Sequence, residues 1–469
     1  MLNAVAEVHS ALRRQFKGDL LRPGDDSYES ARRIWNGMVA HTPGLIARCA
    51  DISDVQAAVR ASVAGDVFPA IRCGGHSLAG FSTCDGGLVI DLSLLRNVEV
   101  DEHLRRARFG GGCLLGNVDS ATQKVGLAFP SGVVSHTGAA GLVLGGGTGW
   151  LNRLHSLSCD NVTGFTLVLA DGSVTRANAK ENPDLFWALR GGGGNFGVVI
   201  EFEVNLHPVR SVLFGAGLCA SDDIPRILQR WRDFMPEAPD NLRWGVSPTI
   251  APNADNVPEN LRGHPAASLS MVWVGDEAAG RPCVDRALSL CHKDTVVKKT
   301  MSFLELQTMA DADFPHGRRY YTKSGYMKVL DDGSIQRMVE ALDSLPSPAT
   351  QIELSYLGGA AARIGASETA FGDRSSPFIV NLLGNWPDPA EDHANISWVR
   401  KLFADLRPSM TPGVYVNFMS GDEQDRVPEA YRERWDRLVA VKTHYDPNNF
   451  FRLNQNVPPL KMPAALPQR

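Results

Sequence analysis

The chain has 469 residues, of which 43% are hydrophobic and 21% are charged, and its formal net charge at pH 7 is -5. This length exceeds what one hydrophobic core usually serves, so we expect a globular protein of more than one domain. The weakly acidic balance excludes the basic surface that nucleic-acid binding requires. We find no signal-peptide pattern and no apolar run long enough to span a membrane.

The eight cysteines are dispersed along the chain, and no two of them form a Cys-x-x-Cys pair. This spacing does not suit a structural zinc site, and we predict that the protein holds no metal. Unpaired thiols are typical of a reducing compartment, so we expect a cytoplasmic location.

The first glycine-rich turn lies between two predicted strands. Residues 1–40 are predicted to be helical, residues 45–49 form a strand, and residues 53–63 form a helix with an apolar face. The strand Pro69–Arg72 then runs directly into Gly74-Gly75-His76, and another strand is predicted over residues 88–92. Glycines that follow a strand let backbone N–H groups converge on a phosphate without interference from side chains.

Two further glycine clusters follow the first, at residues 132–149 and 190–197. Neither matches a P-loop, and no Gly-x-Gly-x-x-Gly opens a helix after the first strand, so a Rossmann site is excluded. Three clusters in the first half of the chain predict one extended ligand that lies across it. Ordinary structural turns are the alternative explanation.

Glycine clusters end near residue 209, and alternating strands and amphipathic helices take their place. This pattern predicts an antiparallel sheet that is covered by helices. The strand over residues 351–356 alternates strictly, with Glu353 on its polar face. In a partly dry pocket the pKa of Glu353 would rise, which suits a general base, whereas a solvated sheet face is the alternative. Tyr415 and Asn417 share one face of another predicted strand, over residues 415–418.

Several motifs in this order resemble those of the berberine-bridge-enzyme-like flavoproteins, which belong to the vanillyl-alcohol-oxidase superfamily. The motifs are Arg72-x-Gly74-Gly75-His76-Ser77, Gly86-Gly87-x-x-x-Asp91-Leu92, Asp184-Leu185-Phe186-Trp187-x-x-Arg190-Gly191, Gly194-Asn195-Phe196-Gly197-Val198-Val199 and Tyr445-Asp446-Pro447-x-Asn449. The resemblance implies an α+β fold with a PCMH-type, two-subdomain FAD-binding domain over residues 1–208, whose core spans about 40–208. It also implies a substrate domain over 209–410, with an antiparallel sheet covered by helices, and a C-terminal strip over 411–469 that completes the FAD site.

The resemblance assigns FAD as the cofactor and His76 as its covalent anchor. Doubly tethered relatives carry a cysteine where this chain has Val134, so we expect a single covalent bond, through His76. Further residues are expected at the cofactor by family position: Arg72, Gly74, Gly75, Ser77, Gly80, Val134, Gly138, Gly141, Asn161, Gly197, Val199, Asn417, Asn454 and Asn456.

The resemblance also assigns the reacting side of the site. His136 and Thr137 are expected beside the reactive edge of the flavin, where ordinary packing is the alternative for Thr137. Glu353 or Tyr415 is expected to act as the base that removes a proton from the substrate.

These assignments predict an FAD-linked oxidase or oxygenase that acts on a small organic substrate, with dioxygen as electron acceptor. Likeness to the bacterial branch of enterocin biosynthesis favours secondary metabolism and a polyketide or phenolic substrate. The alternatives are an oxidase of alcohols, sugars or amines of the 6-hydroxynicotine-oxidase type, a dehydrogenase with another acceptor, and a non-catalytic flavin-binding protein. We expect no nucleic-acid or membrane partner, and a homodimer is left open.

Overall fold

Three small sheets precede one large sheet along the chain in the computed structural model, which describes residues 2–460. The last nine residues of the predicted C-terminal strip, 461–469, lie outside the described residues. Within the described part of the chain, we find no helix with the length and apolar character that a membrane crossing requires.

The first 208 residues contain seven helices and eleven strands in the described part. The helices are α1 (Leu2–Leu12), α2 (Tyr28–Arg32), α3 (Ile52–Ala64), α4 (Leu115–Thr122), α5 (Ala139–Leu144), α6 (Asn152–His155) and α7 (Pro183–Leu189). The strands are β1 (Asp19–Leu21), β2 (Leu45–Arg48), β3 (Pro69–Arg72), β4 (Leu88–Asp91), β5 (Val98–Asp101), β6 (Arg106–Gly110), β7 (Leu127–Ala128), β8 (Val162–Val168), β9 (Val174–Asn178), β10 (Val198–Asn205) and β11 (His207–Pro208).

These strands form sheets in the orders β1-β2-β4-β3, β5-β6-β10-β8-β9 and β11-β7. Strands β2, β4 and β3 are parallel, so α3 is the crossover that returns the chain between β2 and β3. Asp51 caps α3 by accepting hydrogen bonds from the N–H groups of Ser53 and Asp54, at 2.9 and 3.3 Å. The prediction of a helix over the first 40 residues was too broad, because β1 and a turn at Gly24, with φ +99°, separate α1 from α2.

The second half of the chain contains one seven-stranded antiparallel sheet in the order β15-β12-β14-β13-β17-β18-β16. Its strands are β12 (Ser211–Ala220), β13 (Leu242–Ile250), β14 (Pro265–Val274), β15 (Val297–Ser302), β16 (Arg319–Met327), β17 (Gln351–Tyr356) and β18 (Phe378–Trp386). The remaining helices are α8 (Ile224–Phe234), α9 (Glu277–Leu288), α10 (Phe303–Thr308), α11 (Asp332–Leu342), α12 (Ala360–Arg363), α13 (Asp392–Leu406), α14 (Val427–Tyr431) and α15 (Trp435–Tyr445).

One face of the large sheet packs against α8, α9, α11 and α13 around a core that includes Trp231, Leu354 and Val399. Alternation along each strand leaves the opposite face free of this core. The predicted antiparallel sheet covered by helices is therefore present. The face of the sheet that these helices do not cover carries Glu353.

The local prediction of a strand over residues 415–418 was wrong, because the N–H of Phe418 bonds to the carbonyl of Tyr415 at 2.9 Å and closes a 3-10 turn. Lys323 is buried on β16, where its Nζ donates to Asp422 Oδ1 at 2.9 Å. Burial would raise the pKa of Asp422, but hydrogen bonds from Lys323, Tyr321 and Arg400 lower it to about 2.

The C-terminal segment returns to the first half of the chain through a fully buried ion pair. Lys442 Nζ on α15 lies 2.6 Å from Asp446 and donates to the carbonyl oxygens of Asn195, at 2.6 Å, and Phe451, at 3.0 Å. Asp446 also accepts the backbone N–H groups of Phe450 and Phe451. One lysine therefore fixes the end of the third glycine cluster to the C-terminal strip.

Replacement of Lys442 by methionine should lower the free energy of unfolding by about 3–5 kcal/mol, because it leaves a buried carboxylate without its counter-charge. The matched control is Arg281→Met, which removes an arginine from an exposed pair with Glu277 and should cost less than about 1 kcal/mol. Urea unfolding followed by circular dichroism measures both values. Equal midpoints for the two variants would contradict the assigned role of Lys442.

Candidate active site

The backbone of the first glycine turn lies directly against the backbone of the second. A Cβ atom on Gly74 would lie 2.4 Å from the backbone nitrogen of Gly138, and a Cβ on Gly138 would lie 2.4 Å from that of Gly74. Real Cβ atoms do not approach backbone this closely, so both positions require glycine. Gly75 and Gly80 adopt φ angles of +70° and +83°, which also favour glycine.

This contact brings three histidines together. His76 Nε2 lies 2.8 Å from His136 Nδ1, and Thr137 Oγ1 lies 3.4 Å from His76 Nδ1. The ring of Trp35 stacks on His76 with 4.8 Å between centroids, and the His316 ring meets the His136 ring at the same distance. The ligand atoms of the three histidines lie within 4.8 Å of one another, the spacing of a metal-ligand set, so the absence of a metal stays a prediction.

Burial holds the pKa of His76 well below its ordinary value, and the neighbouring His136 and His316 lower it further. His76 is therefore a neutral imidazole at neutral pH, with one ring nitrogen that carries a lone pair. No local sequence pattern points to His316, because this residue lies in an irregular loop before β16.

The second glycine region wraps around Tyr415 and Asn417. The N–H of Gly147 donates to Tyr415 Oη at 2.9 Å, and Asn417 Nδ2 donates to the same oxygen at 2.8 Å and to the carbonyl of Leu142 at 3.1 Å. A Cβ on Gly145 would lie 2.2 Å from Asn417 Oδ1. The predicted proximity of Tyr415 and Asn417 is thus present, although a 3-10 turn produces it.

Polar side chains form a row across the large sheet at Glu353. Asn381 of β18 lies beside Glu353, Ser324 of β16 lies beside Asn381, and the register of β13 places Ser247 opposite Glu353 on its other side. Asn381 Nδ2 donates to Glu353 Oε2 at 2.7 Å. Burial raises the pKa of Glu353, while the bond from Asn381 and the charge of Arg243 reduce that rise.

The row at Glu353 shares its sheet face with Tyr326 and Ile379, which pair two residues further along β16 and β18. Tyr326 and Ile379 pack in one cluster with Tyr415 and with Leu157 of the first half of the chain. Glu353 therefore belongs to the face directed towards Tyr415, rather than to the helix-covered core.

The C-terminal strip leaves polar atoms without partners beside the third glycine cluster. Asn454 Nδ2 donates to the carbonyl of Gly194 at 3.2 Å, but the Oδ1 atoms of Asn454 and Asn456 are buried without a hydrogen-bond partner among residues 2–460. A Cβ on Gly194 or on Gly141 would have no atom within 4 Å. Buried acceptors beside open glycine backbone are what a bound cofactor with N–H and O–H groups would satisfy.

Other predicted cofactor residues are engaged within the protein. The Arg72 guanidinium donates to Asp91 at 2.8 Å in a buried ion pair at the start of the first turn. Ser77 Oγ accepts the N–H of Phe81, and the Val134 carbonyl accepts the N–H of Thr137. The Asn161 amide bonds to His207 and to two backbone carbonyls, and both Gly197 and Val199 pack tightly at β10.

The matches to known proteins agree with this geometry. Residues 43–178 match the family model described as FAD binding domain, and residues 414–458 match the one described as berberine and berberine like. An FAD-linked oxidoreductase of Dictyostelium discoideum is 31% identical over 450 residues, which cover 95% of each chain. The chain belongs to the berberine-bridge-enzyme-like family of FAD-linked oxidoreductases. The predictions of family and of FAD as cofactor are confirmed.

Another relative of this berberine-bridge-enzyme-like protein is (R)-6-hydroxynicotine oxidase of Paenarthrobacter nicotinovorans, 31% identical over 94% of this chain and 97% of the relative. The crystal structure of 6-hydroxy-D-nicotine oxidase from Arthrobacter nicotinovorans superposes with a TM-score of 0.82 at 29% identity, covering 94% and 98% of the two chains. These matches confirm the α+β fold with a PCMH-type FAD domain, and they make the chain an FAD-dependent oxidoreductase. The specific likeness to the enterocin branch stays a prediction.

Two glycine substitutions should separate folding from cofactor retention. Gly138→Ala should destabilise the protein by about 1–3 kcal/mol, because its Cβ would press into the Gly74 backbone. Gly141→Ala has open space around its Cβ and should leave the unfolding midpoint of the flavin-free protein unchanged or higher, while the fraction of purified protein that carries FAD falls. Flavin absorbance and thermal melting measure the two effects. If Gly138→Ala has wild-type stability, the close contact between Gly74 and Gly138 is refuted. If Gly141→Ala retains its full FAD content, the assignment of Gly141 to the FAD site is refuted.

Proposed function

We propose that this protein oxidises or oxygenates a small organic substrate, with dioxygen as electron acceptor and FAD attached through His76 alone. The observation that carries the proposal is the shared sheet face of Glu353, which looks towards Tyr415 and the glycine turns. Bound FAD would supply a two-electron acceptor at this place. In the oxidation, the substrate loses two electrons and two protons, and dioxygen becomes hydrogen peroxide.

Glu353 is the proposed base. Its raised pKa brings the carboxylate closer to the acidity of the proton that it must remove from a hydroxyl group or an acidic carbon. Asn381 donates to one carboxylate oxygen and leaves the other free to face the substrate. The contact orients the carboxylate without neutralising it.

Tyr415 is the proposed partner of the base at the substrate oxygen. Burial raises its pKa to about 12, against the opposing hydrogen bonds of Asn417 and Gly147, so the phenol stays protonated at neutral pH. Because its oxygen already accepts from those two groups, its own proton is available to a substrate oxygen. Asn417 and the Gly147 N–H thus set the direction in which Tyr415 donates.

The neutral His76 imidazole supports its role as the tether, and Val134 removes the second attachment point used by doubly tethered relatives. The name of the 31% identical hydroxynicotine relative, an oxidase, supports dioxygen as acceptor. We place Thr137 and His136 where dioxygen would approach, beside His76. Residues 1–208 and 411–469 would hold FAD, and residues 209–410 would cover a polyketide or phenolic substrate in a cytoplasmic enzyme.

The covalent bond is tested by acid denaturation followed by mass spectrometry of tryptic peptides. FAD should remain on the peptide that contains His76 and on no cysteine peptide. In His76→Ala, acid should release all of the flavin, because no second anchor exists. Release of all flavin from the wild type would refute the covalent bond.

The pH dependence of turnover tests the base. A base must be deprotonated, so kcat/KM should rise with pH through the raised pKa of Glu353, and Glu353→Gln should lose this limb with kcat lowered about 10²–10⁴-fold. The matched control is Glu340→Gln, an exposed carboxylate of α11, which should keep the wild-type profile. If Glu353→Gln keeps the wild-type pH profile of kcat/KM, a residue other than Glu353 is the base.

The acceptor is tested by stopped-flow reoxidation of dithionite-reduced enzyme in air-saturated buffer. An oxidase should reoxidise within seconds and produce one equivalent of hydrogen peroxide. If the reduced flavin persists for minutes, the protein is not an oxidase, and a dehydrogenase that uses another electron acceptor becomes the assigned function.

A further inference from the structure

Arg243 is a cation without a partner on the face of the large sheet that carries Glu353. It lies on β13, four residues before Ser247, and is therefore on the same side of that strand. No carboxylate or carbonyl among the described residues accepts a hydrogen bond from its guanidinium, whereas Arg153 nearby donates to the carbonyls of Ala238 and Leu242. The Arg243 side chain is half-buried, and its guanidinium donors are therefore available to a ligand that enters on this face of the sheet.

Gly245 leaves space on the sheet face for the Arg243 guanidinium. A Cβ on Gly245 would lie 3.4 Å from Arg243 Nη1, so the arginine side chain bends along the strand over this glycine. In the register of β13 with β17, Gly245 lies opposite Ser355, the residue two positions after Glu353 on the same face. The guanidinium therefore reaches towards Glu353, and the absence of a side chain at residue 245 leaves room for it.

Trp150 holds the guanidinium from the first half of the chain. The Arg243 Cζ atom lies 4.7 Å from the centroid of the Trp150 ring, which is the distance of a cation–π contact. The Trp150 indole N–H is itself buried and has no acceptor among residues 2–460. Two unsatisfied donors, one of them charged, thus lie together beside the proposed base.

We infer that Arg243 binds a carboxylate of the substrate, so that the proposed reaction acts on an acidic compound rather than on a neutral alcohol or sugar. The inference rests on the proposed function of the same site. A guanidinium presents paired N–H donors that match the two oxygens of a carboxylate, and the contact with Trp150 limits the positions that the Arg243 side chain can adopt. Anchoring at Arg243 would position the remainder of the substrate beside Glu353 and Tyr415.

A different role for Arg243 is that of counter-ion to Glu353. The two charges attract, but Glu353 receives its hydrogen bond from Asn381 and none from Arg243. A counter-ion alone would leave the guanidinium donors unused, whereas a bound carboxylate would satisfy them. The two roles differ in whether the arginine selects for anions.

The probe is benzoate, compared with neutral benzamide of the same shape, in titrations of the oxidised holoenzyme followed by the flavin absorption spectrum. Wild-type protein should bind benzoate about tenfold or more tightly than benzamide. Arg243→Gln should weaken benzoate binding by a similar factor and leave benzamide within about twofold, because only the charged donors are lost. Arg281→Gln, on the exposed face of α9, is the control and should match the wild type.

Arg243→Lys keeps the charge and tests the site if Arg243→Gln lacks bound flavin. The affinity of Arg243→Lys for benzoate should lie between the wild-type affinity for benzoate and the wild-type affinity for benzamide, because lysine cannot form the paired contact. Equal affinity of the wild type for both probes, no detectable benzoate binding, or equal weakening of both probes in the variant would overturn the inference. Reoxidation by dioxygen in the same preparations needs no substrate, so failure of the proposed function is detected separately.

Discussion

The site depends on the contact between the backbones of Gly74 and Gly138. His76 follows the first glycine by two residues, and Thr137 and His136 directly precede the second, so the approach of the two loops sets the 2.8 Å and 3.4 Å distances between their side chains. A side chain at either glycine would push the loops apart and remove that arrangement. Glycine is used here for the space that it leaves, at the cost of chain entropy on folding.

Two distant parts of the sequence, the large sheet and the C-terminal strip, complete the site around this contact. The large sheet contributes Glu353, whose partner Asn381 belongs to the next strand, and the C-terminal strip contributes Tyr415, whose oxygen is held by the N–H of Gly147. The buried pair of Lys442 and Asp446 fixes the strip to the first half of the chain. Because each part supplies hydrogen bonds to another, the orientation of the reacting groups depends on the whole fold rather than on any one loop.

The sequence alone predicted the family, the cofactor and the strand that carries Glu353, since these rest on local motifs and on a two-residue period. The sequence could not show which face of that strand meets the site. The alternation of polar and apolar residues is the same whichever face of the sheet the helices cover. The burial of Lys323 could not be predicted from the sequence, since its partner Asp422 lies 99 residues away in the chain. Arg243 and His316 carry no local pattern, and only the packing of Trp150 and of the first glycine turn distinguishes them.

A crystal structure of the yellow holoenzyme would show directly whether FAD lies between the glycine turns and the Glu353 face of the sheet. We predict continuous electron density from a His76 ring nitrogen to the flavin, with Tyr415 and Glu353 both on the side of the isoalloxazine ring that faces the substrate. FAD bound elsewhere, or a flavin separated from Glu353 by the helix-covered core, would contradict it.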